Sequence, residues 1–264
     1  MSVGAGGNTI SFSLDGKVWT GKGTTVFTTK GNKITHNGSM YVAVGSGGNT
    51  IAYSFEGVSW TGAGATVFTT AGFGIGYNQY MWVATGQGGN TIATSINGIT
   101  WTGRGGSTVF TGEGLGVAYG NNLWVAVGYG GGNTIATSTD GITWTGRGST
   151  IFTTFGFGVA YANNLWVAFG QGGNTIATST DGITWTGRGA TVFTTRGYGV
   201  AYANNLWVAV GLGGNTIATS TDGLTWTGRG ATVFTSSGYG VFWNGSIWIA
   251  VGQGGNSIAT STNG

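Results

Sequence analysis

The sequence predicts an all-β protein built from four-stranded antiparallel units that repeat about every 41 residues. Three observations predict it. A G-G-N-(T/S)-I segment recurs seven times at nearly constant spacing, each repeat contains four short runs of β-branched and aromatic residues, and Gly or Asn separates the runs. No segment shows the 3.6-residue apolar period that indicates a helix.

The period is measured between the Asn residues of this segment, whose spacings are 41, 41, 43, 41, 41 and 41 residues. A fixed period near 40 residues predicts a repeat architecture in which each unit buries its apolar surface against its neighbours. The seven residues are Asn8, Asn49, Asn90, Asn133, Asn174, Asn215 and Asn256.

One repeat, residues 158–195, shows the predicted strands. Its four runs are 158–162, 165–170, 175–179 and 183–187. Asn163 and Asn164 end the first run, and Asn tolerates the positive φ angles of a tight hairpin turn. Connections this short make neighbouring strands antiparallel. Four-stranded units at this period favour a β-propeller, with a parallel β-helix as the weaker alternative.

The chain 1–264 is predicted to form a single propeller domain of six blades, with seven blades as the alternative. The second-strand segment occurs six times, from 40–45 to 247–252. Residues 249–264 repeat the register of residues 1–16, so the third strand is present once too often. This surplus would close the ring between the termini, add an outer strand, or pair with a second copy in a homo-oligomer.

The turn between the third and fourth strands carries a family resemblance. Residues 138–144 read S-T-D-G-I-T-W, residues 179–185 and 220–226 match them, and looser copies stand at 13–19, 54–60, 95–101 and 261–264. This motif resembles the Asp-box (BNR-like) hairpin of sialidases and photosystem-assembly-type propellers, one residue shorter before the Gly. The resemblance implies their scaffold without their catalytic residues. The sialidase Arg-Ile-Pro segment is missing, because the chain has no Pro.

Composition excludes several classes of protein. The chain has no Cys, so disulfides and thiolate chemistry are excluded. The net charge of +3 comes without a basic run, which argues against nucleic-acid binding. Neither a signal peptide nor an apolar run of about 18 residues is present, so we expect no membrane span. These features leave the compartment open.

The acidic residues and the single His predict no catalytic site. Five acids occupy the same hairpin position, where we expect their carboxylates to accept turn N–H groups. Glu113 lies elsewhere, without a carboxylate partner in its own repeat, whereas glycoside hydrolysis usually needs two carboxylates. His36 is predicted to be an exposed hairpin residue. We therefore expect no enzyme activity, no metal and no cofactor. The five hairpin acids are Asp15, Glu56, Asp140, Asp181 and Asp222.

The differences among the repeats indicate where a ligand would bind. In an antiparallel unit the first-to-second and third-to-fourth turns share one end, here called the turn rim. The second-to-third and fourth-to-first connections share the other end, the loop rim, and there the copies differ most. The predicted ligand-binding residues are Arg104, Arg147, Arg188 and Arg229 in the T-G-R-G segments, Gln87, Tyr129, Gln171 and Gln253 in the G-x-G-G turns, and Tyr198 and Tyr239 in the following G-Y-G segments.

These residue types predict a non-enzymatic, multivalent binding module with lectin-like recognition of a glycan or glycoprotein. Aromatic faces suit the CH groups of sugars, and Arg and Gln suit hydroxyl and carboxylate groups. The alternative is a structural or assembly protein without a small ligand: a viral or phage surface element, an interaction scaffold or an engineered repeat. We expect the Trp residues on the predicted strands to be part of the core. They are Trp82, Trp124, Trp166, Trp207 and Trp248 on second strands, and Trp144 with its equivalents on fourth strands.

Overall fold

The computed structural model describes residues 1–105 and 109–264. All regular elements in these residues are β-strands, and none of the described residues forms a helix that could cross a membrane. The chain divides into two compact units, Met1–Gly146 and Arg147–Gly264, and each is described by itself.

The first unit, Met1–Gly146, contains one three-stranded and three four-stranded antiparallel sheets, two of which share the bridge Ser46–Ala71. The strands are β1 (Ser2–Val3), β2 (Ile10–Phe12) and β3 (Thr20–Gly21); β4 (Phe27–His36), β5 (Tyr41–Gly48), β6 (Ile51–Ser54) and β7 (Thr61–Gly62); β8 (Phe68–Tyr77), β9 (Trp82–Gly89), β10 (Ile92–Ser95) and β11 (Thr102–Gly103); β12 (Glu113–Gly120), β13 (Leu123–Tyr129), β14 (Ile135–Ser138) and β15 (Thr145–Gly146).

The second unit, Arg147–Gly264, contains two four-stranded sheets and one three-stranded sheet. The strands are β16 (Phe152–Ala162), β17 (Leu165–Gly173), β18 (Ile176–Ser179) and β19 (Thr186–Gly187); β20 (Phe193–Ala203), β21 (Leu206–Gly214), β22 (Ile217–Ser220) and β23 (Thr227–Gly228); β24 (Phe234–Trp243), β25 (Trp248–Gly255) and β26 (Ile258–Ser261).

Strand order follows chain order in each four-stranded sheet, which confirms the predicted meander. The two terminal copies of the third strand lie in separate three-stranded sheets. Strand β26 pairs with β25, and the equivalent strand β2 pairs with β1. The five complete and two three-stranded sheets correspond to about six or seven blades.

The first strands are longer than the sequence predicts. Strand β16 begins at Phe152 instead of residue 158, so most of the predicted fourth-to-first loop is strand. Its pairing with β17 shifts register between Phe152 and Phe155 and again between Gly156 and Gly158. Such irregularities break the alternation that identifies a strand in a sequence, and the Gly residues beside them make the segment read as a loop.

Two kinds of turn join the first and second strands. Asn163 and Asn164 have φ values of 49° and 57°, as the predicted two-residue hairpin requires, and the Asn-Asn pairs 121–122 and 204–205 do the same. The other three turns have four residues. In one of them, the Asn78 Oδ1 atom accepts the N–H groups of Tyr80 and Met81 at 3.1 and 2.8 Å. His36 lies exposed beside another, as predicted, with its Nδ1 atom accepting the Gly38 N–H at 3.0 Å.

Within each unit, successive sheets pack face to face. Val167 and Phe169 of β17 form one buried cluster with Phe193 and Trp207 of the next sheet. Val42 and Val44 of the first unit pack in the same way against the following sheet. Second strands are buried on both faces by this packing, which explains why their sequences are continuously apolar.

The fourth-strand Trp residues lie at the edge of the core, whereas the second-strand Trp residues lie inside it. Trp166 and Trp207 on second strands are fully buried, but Trp144 and its equivalents are only half-buried. The Trp144 Nε1 atom donates a hydrogen bond to the Gly141 carbonyl oxygen at 3.0 Å. These indoles brace the hairpin that precedes them and also pack against a buried cluster, as Trp226 does against Phe169 at 5.5 Å between ring centroids.

The Asn that recurs in every repeat ties three connections together. The Asn174 Nδ2 atom donates to the Ile151 carbonyl oxygen at 2.9 Å, and its Oδ1 atom accepts the Gly189 N–H at 2.9 Å. A Cβ atom at Gly187 would run into the Asn174 side chain, so the T-G pair needs its Gly. The adjacent Thr175 hydroxyl donates to the Phe193 carbonyl oxygen at 2.8 Å. The loop rim is thus fixed by side chains inside the repeat.

The aspartates at the hairpin position bind the N–H groups of their own turns, as predicted, whereas the Glu56 carboxylate makes no such hydrogen bond. The Asp181 Oδ1 atom accepts the backbone N–H groups of Ile183 and Thr184, both at 2.8 Å. The N–H groups of Thr184 and Ile183 lower the pKa of Asp181 to about 2, because they stabilise the ionised carboxylate. Asp140 and Asp222 make the same contacts and have the same lowered pKa of about 2.

The two Asn174 hydrogen bonds, here called the Asn174 clamp, give a stability prediction. Asn174→Ala leaves the Ile151 carbonyl and the Gly189 N–H without these partners, and half-buried unsatisfied groups of this kind cost about 1–3 kcal/mol together. We expect a lower urea midpoint for the variant by intrinsic Trp fluorescence. The control is Thr180→Ala at an exposed hairpin position, which should change stability by less than about 0.5 kcal/mol. Equal midpoints for the two variants would remove the clamp's role.

The hairpin carboxylates give a pH prediction. Their folded pKa of about 2 lies below the unfolded value of about 3.9, so their contribution to stability is complete above pH 5 and is lost as the pH falls towards 2. Urea midpoints of the wild type should fall over this range. The triple variant D140N/D181N/D222N should show a shallower fall.

The chain itself supplies the precedent for this substitution. Asn97 stands at the hairpin position of an earlier repeat, and its Oδ1 atom accepts the N–H groups of Ile99 and Thr100 at 2.9 Å. The triple variant should therefore fold. An acid dependence as steep as that of the wild type would show that other groups cause it.

Candidate functional site

The first strands of the second unit carry the predicted Tyr198 and Tyr239 beside two phenylalanines. Tyr198 lies on β20 and Tyr239 on β24, and Phe155 and Phe157 lie on β16. All four lie on strands instead of in the predicted loops, because the first strands extend through the register shifts. They form a continuous set, here called the aromatic row: Phe155, Phe157, Tyr198 and Tyr239.

Ring contacts run along the whole aromatic row. The centroids of Phe155 and Phe157 are 5.4 Å apart in a stacked arrangement. Phe157 lies 5.1 Å from Tyr198, and Tyr198 lies 5.6 Å from Tyr239. These separations are within the range of favourable aromatic pairs. Phe157 and Tyr198 are half-buried and Tyr239 is 46% exposed, so the row presents ring surface to solvent.

A glycine allows the first strands of neighbouring sheets to approach each other within the aromatic row. A Cβ atom at Gly158 would collide with the Tyr198 carbonyl oxygen of the next first strand. Since Gly lacks this atom, β16 and β20 approach closely at the position directly after Phe157. The spacing between the rings is thus set by backbone packing.

Polar side chains accompany the row, and two of their atoms lack partners. The Arg196 guanidinium lies 5.8 Å from the Phe157 ring centroid, and its Nη1 atom donates to the Tyr198 hydroxyl at 3.4 Å. The Arg196 Nε atom is buried without an acceptor, and the Gln171 Oε1 atom is buried without a donor. A buried polar atom without a partner is unfavourable by about 1–3 kcal/mol. Such atoms mark a place where a ligand or a small rearrangement would gain hydrogen bonds.

Glutamines flank the row at both ends. Gln171 pairs in register with Phe155 on the neighbouring strand. At the other end the Tyr239 hydroxyl donates to the Gln253 Oε1 atom at 2.6 Å. The structure therefore brings together four of the predicted residues: Gln171, Tyr198, Tyr239 and Gln253.

The predicted arginines do not join this group. Arg188 follows the fourth strand β19, and its Nε atom donates to the buried Thr178 hydroxyl on β18 at 2.9 Å. Arg104 and Arg229 make the same contact with Thr94 and Thr219 at 2.7 and 2.9 Å. First and fourth strands of one sheet are three strand spacings apart, about 14 Å. Within the second unit, Arg188 and Arg229 thus lie at the opposite edge of their sheets from the first strands that carry the aromatic row. Arg147, the remaining predicted arginine, is half-buried.

The first unit places Gln87 and Tyr129 in a different setting. Gln87 lines a shallow groove of about 410 Å³ with Thr70, Asn90 and Thr111. The Tyr129 ring covers Gly112, which lines the same groove.

Glu113 begins β12 and pairs in register with Tyr129. Partial burial raises the pKa of the Glu113 carboxyl above its usual value. Glu113 lies on the loop rim, where its strand begins.

Three members of the site are absent from the residues predicted to bind ligand: Phe155, Phe157 and Arg196. They occupy the positions before and within the G-x-G segments, which vary among the repeats. The signal that could have found them is the match with Tyr198 and Tyr239, since Phe157 holds the same position one repeat earlier. The segment reads as a loop in the sequence, so the sequence did not show that these side chains lie on the first strands of neighbouring sheets.

Comparisons with known proteins identify the fold. The sequence matches no protein-family model and no curated protein. Virginiamycin B lyase from Staphylococcus aureus is similar in structure, with a TM-score of 0.76, 15% identity and coverage of 95% of this chain and 86% of that one. YCF48 from Cyanidioschyzon merolae has a TM-score of 0.58 and 16% identity, covering 88% and 84% of the two chains.

A third similar structure is the GH74 enzyme from Niastella koreensis. It has a TM-score of 0.62 and 19% identity, and the match covers 88% of this chain but 36% of that enzyme. These structures are β-propellers, and identities this low show the fold alone. The chain therefore has an all-β, β-propeller fold made of repeated four-stranded antiparallel sheets.

Proposed function

We propose that this propeller is a non-enzymatic, multivalent carbohydrate-binding module whose loop rim contacts the ligand. The observation that carries the proposal is the aromatic row with its unpaired polar atoms at Arg196 and Gln171. Ring faces pack against the CH groups of a sugar, while a guanidinium and amides bind its oxygen atoms. Glycan and glycoprotein ligands both supply these groups.

Repetition supports multivalent binding. The loop rim varies among the repeats, but its G-x-G position is aromatic in four of them, Phe73, Phe157, Tyr198 and Tyr239, so one molecule offers several weak sites. Several weak sites on one body raise the apparent affinity for a repeating polymer without any new contact. A polysaccharide or a densely glycosylated surface is the matching ligand.

The state of the carboxylates supports the non-enzymatic part of the proposal. Asp140, Asp181 and Asp222 are bound to their own hairpins and ionised at neutral pH, because the turn N–H groups lower each pKa to about 2. Groups with so low a pKa cannot donate a proton as general acids near pH 7. They act as parts of the turn.

We also propose that these hairpins are Asp-boxes. The Ser138 hydroxyl donates to the Asp140 Oδ1 atom at 2.9 Å and accepts the Gly141 N–H at 2.8 Å. The motif residues thus cooperate in one compact turn, which supports a common scaffold with Asp-box propellers. Function is decided elsewhere, since one fold hosts many activities.

A glycan array followed by affinity measurement tests the binding function. The double variant Tyr198→Ala/Tyr239→Ala removes two ring faces, and we expect binding to weaken about tenfold or more, as for the central aromatic residues of other interfaces. The matched control is Arg188→Ala/Arg229→Ala, which changes side chains on the far side of each sheet. We expect at most a threefold loss for the control. Unchanged binding by a folded Tyr198→Ala/Tyr239→Ala variant would refute the site.

A second candidate function, an interaction scaffold, is favoured by the turn rim of the first unit. The hairpin residue after the Ser is apolar in three repeats there, with Leu14, Phe55 and Ile96 exposed by 97, 64 and 81%. Later repeats have Thr139, Thr180 and Thr221 at this position. Large apolar side chains exposed at equivalent positions are typical of protein contact sites. Association through residues 249–264 stays a separate prediction.

The triple variant L14T/F55T/I96T tests this candidate, because the later repeats show that Thr suits the position. If the turn rim mediates association, the wild type should show a mass above 26.7 kDa that rises with concentration in multi-angle light scattering, and the variant should not. The same mass for both proteins would argue against self-association at these residues. Thermal melts provide the control for folding.

A further inference from the structure

Charge in the second unit is divided between the two rims. Residues 147–264, all of which the structure describes, contain four cationic and two acidic side chains. Both acids, Asp181 and Asp222, are bound in hairpins of the turn rim. All four cations lie at the loop rim: Arg147, Arg188, Arg196 and Arg229. The loop rim of this unit is therefore cationic and has no carboxylate of its own.

Arg196 differs from the other arginines in its surroundings. It lies on a first strand within the aromatic row, whereas Arg188 and Arg229 follow fourth strands and bind Thr hydroxyls through their Nε atoms. The Arg196 Nε atom has no acceptor, and the Nη1 atom donates to the Tyr198 hydroxyl over a long distance of 3.4 Å. A half-buried guanidinium with such weak partners retains most of its capacity to bind an anion.

We propose that the sugar recognised by the aromatic row is acidic, and that its carboxylate or sulfate group binds Arg196. This inference rests on the proposed carbohydrate-binding function and narrows it to one class of ligand. A guanidinium presents parallel N–H donors that match both kinds of anion. The Phe157 ring lies 5.8 Å from the same guanidinium and offers a face to the sugar ring. The Gln171 Oε1 atom is unpaired but buried, so a small side-chain rearrangement would bring it to a sugar hydroxyl group next to the anion site.

The geometry also limits what the site would accept. Phe157 and Tyr198 flank Arg196 on adjacent first strands, so an anion must arrive attached to something that can lie along the rings. A free inorganic anion would make only the polar contact. The site should therefore prefer an acidic saccharide over sulfate alone.

Three polymers with one backbone provide a matched test. Dextran is neutral, carboxymethyl-dextran carries carboxylates and dextran sulfate carries sulfate esters. We expect the full chain to bind one or both anionic polymers at least tenfold more tightly than dextran at 0.15 M salt. The ratio between the two anionic polymers identifies the preferred anion, and 0.15 M sodium sulfate should compete only weakly.

Arg196→Gln is the variant that tests the residue, and Arg229→Gln is its control because it removes the same charge from the same rim. We expect at least a tenfold loss of anionic polymer binding for R196Q and less than a threefold loss for R229Q. Arg196→Lys keeps the charge without the planar fork and should bind between the wild type and R196Q. Urea midpoints of all variants verify folding.

Each alternative outcome has a definite meaning. Equal losses in R196Q and R229Q would overturn the anion site in favour of a diffuse charge effect. Equal binding of dextran and the anionic polymers, or binding of neutral glycans alone on the array, would overturn the acidic-sugar inference while leaving the carbohydrate-binding function in place. If no glycan and no polymer binds, both proposals fail.

Discussion

Face-to-face packing of successive sheets is the constraint on which the remaining structure depends. Val167 and Phe169 on one sheet share a buried cluster with Phe193 and Trp207 of the next, and each unit repeats this arrangement. A sheet buried on both faces needs apolar side chains pointing both ways along its central strands. Polar variation is consequently confined to strand ends and connections, where the two rims lie.

The rims in turn must satisfy their own backbone groups. The Asn174 side chain ties its own connection of the loop rim to two others, and the Asp181 carboxylate stabilises a hairpin of the turn rim. Both residues recur in register because every repeat has the same backbone N–H and C=O groups that need hydrogen-bond partners. The most repeated residues of the sequence are thus structural, and repetition by itself is no sign of chemistry in this chain.

The proposed binding surface lies where the repeated framework allows side chains to vary. The first strands approach each other at glycines such as Gly158, and the side chains beside those glycines form the aromatic row. Arg196 and Gln171 keep unpaired atoms there, while the repeated arginines of the fourth strands are engaged by Thr hydroxyls. An exposed apolar set at Leu14, Phe55 and Ile96 distinguishes the turn rim of the first unit in a different way. The two rims therefore differ in the side chains that they expose.

The sequence by itself determined the all-β class, the four-stranded antiparallel repeat and the role of the hairpin carboxylates, because these follow from local patterns: period, turn residues and short-range hydrogen bonds. It also identified Tyr198, Tyr239, Gln171 and Gln253 as candidates. Only the tertiary structure separated these from Arg188 and Arg229 and added Phe157 and Arg196 to them. One reason is that the register shifts interrupt the strand pattern, so the sequence does not distinguish these strand residues from a loop. The other is that contacts between sheets join residues about 40 positions apart, and local sequence patterns do not predict such contacts.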